Sequence, residues 1–131
     1  MYNNASVNAY KQNSMNITSK SKLVEMMYEG MLRFLAQARK SAQDDDIEKK
    51  VYWVNRVIAI LGEFIAILDY TKGGEVAHYL NGLYSYQIRN LSESLLHSGE
   101  NRQLCVDEID KSIKITKELL AAWHDVDGHL Q

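Results

Sequence analysis

The chain lacks proline altogether, and its 131 residues include only 7 glycines and 1 cysteine. Strands joined by tight turns usually need more proline and glycine, so this scarcity favours an all-α protein. The lone Cys105 cannot form an internal disulfide, which fits a reducing compartment. The sequence also lacks an apolar run long enough to cross a bilayer, and the N-terminus lacks the charged start and apolar core of a signal peptide. We therefore expect a cytoplasmic protein without membrane insertion.

An excess of charge of either sign is also missing, since 15 basic and 17 acidic residues give a formal net charge of −2. No cluster of lysine and arginine dominates one segment, so the sequence does not indicate a nucleic-acid surface. The length suits one domain that can bury a sizeable core.

Apolar residues recur at helical spacing in four segments, which predicts four helices joined by short loops. We place them at about residues 20–42, 46–68, 75–97 and 102–124. Helices of this length with short connections pack as an antiparallel four-helix bundle. The expected organisation is an N-terminal, non-helical arm over residues 1–17, the bundle over 18–126 and a polar tail over 127–131.

Capping residues predict where the helices begin and end. Ser19 is a candidate N-cap for the first helix, and Asp45 with Glu48 has capping-box spacing at the start of the second. The glycine pair at 73–74 can take positive φ, which would end one helix before the next begins at Glu75. Asn101 is a candidate N-cap for the fourth helix.

The predicted core follows from the same spacing. On the first, third and fourth helices it comprises Val24, Met27, Met31, Phe34, Leu35 and Ala38; Val76, Leu80, Leu83, Tyr84, Leu91 and Leu95; and Val106, Ile109, Ile113 and Leu120.

The second helix carries more apolar residues than one face of a bundle helix needs. At about 100° per residue they cover roughly 200° of the helix. One face comprises Ile47, Val51, Val54, Ile58, Leu61 and Ile65, and a second ridge beside it comprises Trp53, Val57, Ile60, Phe64 and Ile67. Two interpretations are open: the second ridge binds a partner segment, or neighbouring helices cover this helix on two sides.

The fourth helix has a sparser second row, formed by Leu104, Ile115, Leu119 and Ala122. The partner-binding interpretation extends to this row, as part of one peptide-binding surface on the second and fourth helices. On the third helix Tyr84 falls on the core face, whereas Tyr79 and Tyr86 fall at its edge. Edge tyrosines suit a binding surface because they offer an apolar ring and a polar tip.

Two groups of residues contain the residue types that bind metals, but neither has the arrangement of a metal site. Glu75 and His78 have Glu-x-x-His spacing, but di-iron bundles need two such motifs plus two further glutamates. A histidine and aspartate group at 124–129 lies in a short tail without supporting side chains. With no nucleophile elbow or phosphate loop either, we expect neither an enzyme nor a cofactor.

The stretch from Leu68 to Leu91, LDYTKGGEVAHYLNGLYSYQIRNL, resembles the flagellin-binding export chaperones of the FliS family, whose sequences read much like LD..KGGE.A..L..LYDY...RL here. The segment TSKSKLVEMMYEGMLRFLAQA at 18–38 is similar to a second family segment. Val7 and Tyr10 match the family's apolar N-terminal element, and Leu119, Leu120 and Trp123 match its closing LL..W.

This resemblance implies a cytosolic chaperone that binds the C-terminal segment of flagellin, prevents its premature polymerisation and escorts it to the flagellar type III export apparatus. The implied partners are flagellin and the export gate protein FlhA, with other flagellar export or regulatory factors as further candidates. It also implies that Val7 and Tyr10 dock on the bundle until a partner displaces them. The alternative from a different class is a structural or regulatory four-helix module that self-associates through its second helix.

Overall fold

The computed structural model describes the backbone from Tyr2 to Leu130 and the side chains of residues 20–126. Its elements are α1 (Tyr2–Gln43), α2 (Ile47–Ala66), α3 (Tyr70–Ser94) and α4 (Arg102–Leu130), with a 3₁₀ turn at Gly99–Asn101 leading into α4. Both α1 and α3 pack against α2 and α4, so the four helices form a closed ring around one core. The all-α four-helix bundle is confirmed.

The first helix begins earlier than predicted. α1 starts at Tyr2, so Ser19 lies inside the helix and is not its N-cap. The chain has no proline, and its first glycine is Gly30, so no residue of the breaking type interrupts the backbone here. The side chains of Val7 and Tyr10 lie outside the described residues, and their docking stays a prediction. At the other end, α4 continues to Leu130 instead of ending near residue 124.

The cap of α2 is displaced by one residue from the predicted one. Asp46 is the N-cap, and its carboxylate accepts a hydrogen bond from the Lys49 N–H at 3.2 Å. Asp45 instead adopts a left-handed conformation with φ 54°, which aspartate tolerates better than most residues. Its carboxylate accepts a hydrogen bond from the Gly99 N–H at 2.9 Å, which ties the α1–α2 loop to the α3–α4 loop.

The starts of α3 and α4 also differ from the prediction. Asp69 caps α3 by accepting hydrogen bonds from the N–H groups of Thr71 and Lys72, so one helical turn precedes the glycine pair. Of that pair, only Gly74 takes positive φ, at 51°, and it kinks the helix there. Asn101 belongs to the 3₁₀ turn and is not the cap of α4.

Aromatic rings fill the centre of the core. Phe64 stacks between Tyr28 and Tyr84, with ring centroids 4.6 and 5.3 Å away. The hydroxyls of the two tyrosines are hydrogen-bonded at 2.6 Å, because each would otherwise be buried without a partner. Burial raises the pKa of both tyrosines above the ordinary value of 10.0.

Most predicted core residues are buried or packed against the core, including Met31, Leu35, Val54, Leu91 and Ile109. Two predictions were wrong. Val76 is 64% exposed, because the buried stripe of α3 passes through Ala77, which lies seven residues, or about two turns, before Tyr84. Ile47 is 51% exposed, and the buried side chain in the first turn of α2 is Lys50.

Candidate partner-binding surfaces

The structure divides the predicted second ridge of α2 between the core and the surface. Val57 and Phe64 are 0% and 3% exposed and belong to the core, so placing them on a free apolar ridge was wrong. α2 packs against α1 on one side and α3 on the other, and this accounts for its wide apolar arc. The interpretation of a helix covered on two sides therefore holds for these two residues.

The rest of that ridge borders α1. Trp53, Ile60 and Ile67 recur every seven residues on one side of α2, and the Trp53 ring stacks on Phe34 of α1 at 5.5 Å. Trp53 and Ile60 are half-buried, whereas Ile67 is exposed. We call this side of the bundle the α1/α2 face, and it comprises Leu23, Met26, Arg33, Phe34, Trp53, Arg56, Ile60 and Ile67.

The predicted partner-binding residues of α3 and α4 share the opposite side of the bundle. Tyr86 and Ile115 line the same cleft between α3 and α4. Tyr79 precedes Tyr86 by seven residues, and Leu119 follows Ile115 by four, so both continue along this side. Leu104 lines a shallow depression of about 430 Å³ at the end near the α3–α4 loop. We call this the α3/α4 face, and it comprises Tyr79, Tyr86, Asn90, Leu104, Lys111, Ile115 and Leu119.

A polar residue that sequence reasoning missed lies at the bottom of this cleft. Gln87 is 2% exposed, and its Oε1 accepts a hydrogen bond from the Ser112 hydroxyl at 2.8 Å. Its Nε2 has no hydrogen-bond partner among the described residues, and such a buried donor is costly to leave unpaired. The available signal was position: Gln87 lies three residues after Tyr84 and four before Leu91, both predicted core residues.

Ion pairs lie at the rims of two seams of the bundle, one within α4 and one between helices. On the α3/α4 face the Lys111 ammonium contacts the Glu108 carboxylate at 3.1 Å, and this hydrogen bond raises the pKa of Lys111. On the seam between α1 and α4, Arg39 donates to both carboxylate oxygens of Asp110, which raises the pKa of Arg39.

Within residues 20–126, no group of three or more histidine, cysteine, aspartate and glutamate side chains is arranged to hold a metal ion. Asp127 and His129 of the tail lie outside the described residues. Cys105 is buried, with its thiol 3.6 Å from the Ser94 hydroxyl. No helix in the described part of the chain is long and apolar enough to cross a membrane.

Comparison with known proteins adds independent evidence. The family model "Flagellar protein FliS" matches residues 2–129. The chain is 50% identical over 126 residues to a "Flagellar secretion chaperone FliS" of Campylobacter jejuni, which covers 96% of this chain and 94% of that protein. It is 29% identical over 131 residues to the protein of the same name from Salmonella typhimurium, with 96% and 93% covered. It is 30% identical over 105 residues to "Flagellar secretion chaperone FliSB" of Pseudomonas aeruginosa, with 80% and 79% covered. The chain therefore belongs to the flagellar protein FliS family.

Proposed function

We propose that this protein is a chaperone of flagellar secretion that binds the C-terminal segment of flagellin and escorts it to the flagellar export apparatus. The family to which the chain belongs consists of chaperones, which bind clients without transforming them chemically, so the protein is not an enzyme. The client, the export gate protein FlhA and the cytoplasmic location are parts of the proposal.

The α3/α4 face is the best candidate for the client surface. The unpaired Nε2 of Gln87 carries this choice, because this buried donor lies at the bottom of a narrow cleft bordered by Tyr86 and Ile115. A client segment that widens the cleft can bring a side-chain carbonyl, or a backbone carbonyl outside a helix, to accept from it. The apolar side chains around it supply the contact area that a helix-in-groove complex needs.

An extended row of contacts suits a disordered client. A segment that orders on binding loses conformational entropy, so it needs a large buried area to reach useful affinity. From Tyr79 to Leu104 the α3/α4 face runs along most of the bundle. Coverage of an aggregation-prone client along this length would keep it from polymerising before export.

The N-terminal residues Val7 and Tyr10 are proposed to take part in handover. They would dock on the bundle and leave when the gate protein or the client occupies the shared surface. Removal of a docked segment raises apparent affinity by the fraction of time for which it blocked the site. Val7→Ala with Tyr10→Ala should therefore leave client binding intact or tighter and weaken recruitment by the gate, both measured by titration calorimetry.

The main experiment is calorimetric titration of the protein with a flagellin C-terminal peptide. Tyr86→Asp and Leu104→Asp should each weaken binding more than about tenfold, because both side chains are exposed on the proposed client surface. Tyr52→Asp is the matched control, since Tyr52 is similarly exposed but lies on α2. Circular dichroism should show that all three variants remain folded.

Two results would contradict the proposal. An equal loss of binding in the Tyr52 variant would show that the peptide is not bound at the α3/α4 face. Concentration-dependent dimers without any binding of the peptide would instead support the self-associating module.

A further inference from the structure

We propose that the α1/α2 face binds a second partner, an acidic amphipathic helix that is not the flagellin client. This goes beyond the proposed function, and it gives Trp53, Ile60 and Ile67 of the predicted second ridge a partner other than the client. The proposal rests on the shape, composition and charge of this face.

The centre of the face is an aromatic cluster that packs against the core but stays partly exposed. Trp53 and Phe34 stack at 5.5 Å, and Tyr52 meets the edge of the Trp53 ring at 4.9 Å. Beside them lies an open groove of about 370 Å³ lined by Arg33, Phe34, Ala36, Gln37 and Trp53. Tryptophan, tyrosine and arginine are the residues most enriched at the energetic centres of protein interfaces.

The charges on this cluster are positive and unpaired. Arg56 lies 4.9 Å from the Phe34 ring and 5.7 Å from the Tyr52 ring, so the rings hold its guanidinium at the surface. Neither Arg33 nor Arg56 forms an ion pair with any described residue. The groove contains one charged residue, Arg33, in a chain whose net charge is negative. A partner with carboxylates beside its apolar residues is therefore complementary to it.

The apolar surface extends beyond the aromatic cluster. Gly30 is buried at the α1–α2 seam beneath it, where an added Cβ atom would meet Arg33 and Ile60, at 3.7 and 4.0 Å. Exposed Leu23, Met26 and Ile67 continue the apolar strip toward the α2–α3 end. The charge argues against a second copy of this chain, because two-fold pairing of like faces would bring the arginines of both copies together.

The test uses two synthetic peptides of 20 residues that share one apolar stripe at helical spacing. The first carries glutamates beside the stripe, and the second carries lysines at the same positions. Binding is followed by ¹H–¹⁵N spectra of the whole protein. The Trp53 indole reports on the α1/α2 face, whereas the Trp123 indole donates to the Ser21 carbonyl on the α1–α4 seam and serves as an internal control.

The glutamate peptide should shift the Trp53 indole signal, leave that of Trp123 in place and bind at least about tenfold tighter than the lysine peptide. Arg33→Glu with Arg56→Glu should reverse this preference. Lys114→Glu with Lys117→Glu changes the net charge equally at exposed positions of α4 and should alter the affinity by less than about twofold. The flagellin peptide should bind together with the glutamate peptide.

Several results would overturn the proposal. They are no shift of Trp53 at saturating glutamate peptide, equal binding of both peptides, or an equal effect of the two charge reversals. Displacement of the glutamate peptide by the flagellin peptide would assign this face to the client and leave the proposed chaperone function intact. Failure of flagellin binding alone would leave this inference standing.

Discussion

The two long faces of the bundle differ in what lies beneath them. Under the α1/α2 face the seam is apolar and aromatic, with Met31, Leu35, Val54 and Val57 fully buried. Under the α3/α4 face polar groups enter the seam, and Gln87, Ser94, Ser112 and Thr116 are buried there. Apolar seams gain free energy from burial over their whole area, whereas a polar seam depends on satisfying each group. The first seam is built to hold the bundle together, and the second can gain from an additional hydrogen-bond partner.

The largest expected effect comes from a charge placed in the apolar part of the core. Phe64→Asp would place a carboxylate between the rings of Tyr28 and Tyr84 and should lower the free energy of unfolding by about 4 kcal/mol or more. Ile60→Asp, at the half-buried edge of the same helix, should cost much less. Urea unfolding followed by circular dichroism distinguishes them. Equal losses would show that the α1/α2 face is core throughout.

The second prediction concerns the tyrosine pair at the centre of the core. Both pKa values are raised in the folded protein, so above pH 10 the unfolded chain releases protons that the folded protein retains. The stability contributed is therefore complete below pH 10 and falls above it, by up to about 1.4 kcal/mol per pH unit for each tyrosine. Tyr84→Phe should reduce this dependence between pH 9 and 11. An unchanged slope in the variant would show that other groups cause the loss.

The sequence predicts the helices and most of the core because apolar periodicity is a property of each segment by itself. It does not predict which neighbour covers a wide apolar arc, so for Val57 and Phe64 partner binding and coverage by neighbouring helices both stayed open until the structure showed them buried. Adjacent residues of one type also compete for one role: Asp46 rather than Asp45 caps α2, and Gly74 rather than Gly73 takes positive φ.

The candidate site was predicted less completely than the fold. Tyr86, Leu104 and Ile115 were predicted partner-binding residues, and the structure brings them to one side of the bundle. Gln87 was missed because a buried polar side chain needs a hydrogen-bond partner. That partner, Ser112, is distant in sequence and lies on another helix. Helical spacing carries no information about such a pair.

The third prediction tests the polar seam directly. Ser112→Ala would remove the donor to Gln87 Oε1 and leave the whole buried amide without a partner, at a cost of about 1–3 kcal/mol. Adding Gln87→Leu should recover most of that loss, because replacing both partners by apolar groups is nearly neutral. A double-mutant cycle from urea unfolding measures the coupling. Additive losses would mean that the two side chains are independent.

The double variant also separates stability from binding. If the Gln87 amide serves the client, Ser112→Ala with Gln87→Leu should be folded and stable but bind the flagellin C-terminal peptide more weakly. Titration calorimetry measures this against Tyr52→Asp as the control with unchanged α3 and α4. Wild-type affinity in the double variant would restrict Gln87 to a packing role.

The smallest expected effect concerns the stability of α3. It tests whether the helix propensity of α3, rather than its polar seam with α4, limits that stability. Gly82 lies in the helix interior, and an added Cβ atom there would meet no atom within 4 Å. Gly82→Ala should therefore stabilise the protein by about 0.5–1 kcal/mol, since glycine costs more conformational entropy on folding. Gly62→Ala is the matched change in α2, where the surroundings are equally open. Gly74→Ala should have the opposite sign, because alanine is strained at φ 51°. Thermal unfolding of the three variants measures the differences. A larger gain at Gly82 than at Gly62 would mean that low helix propensity limits the stability of α3 in the native protein. Equal gains would mean that any lower stability of the α3/α4 side comes from the buried polar groups of its seam.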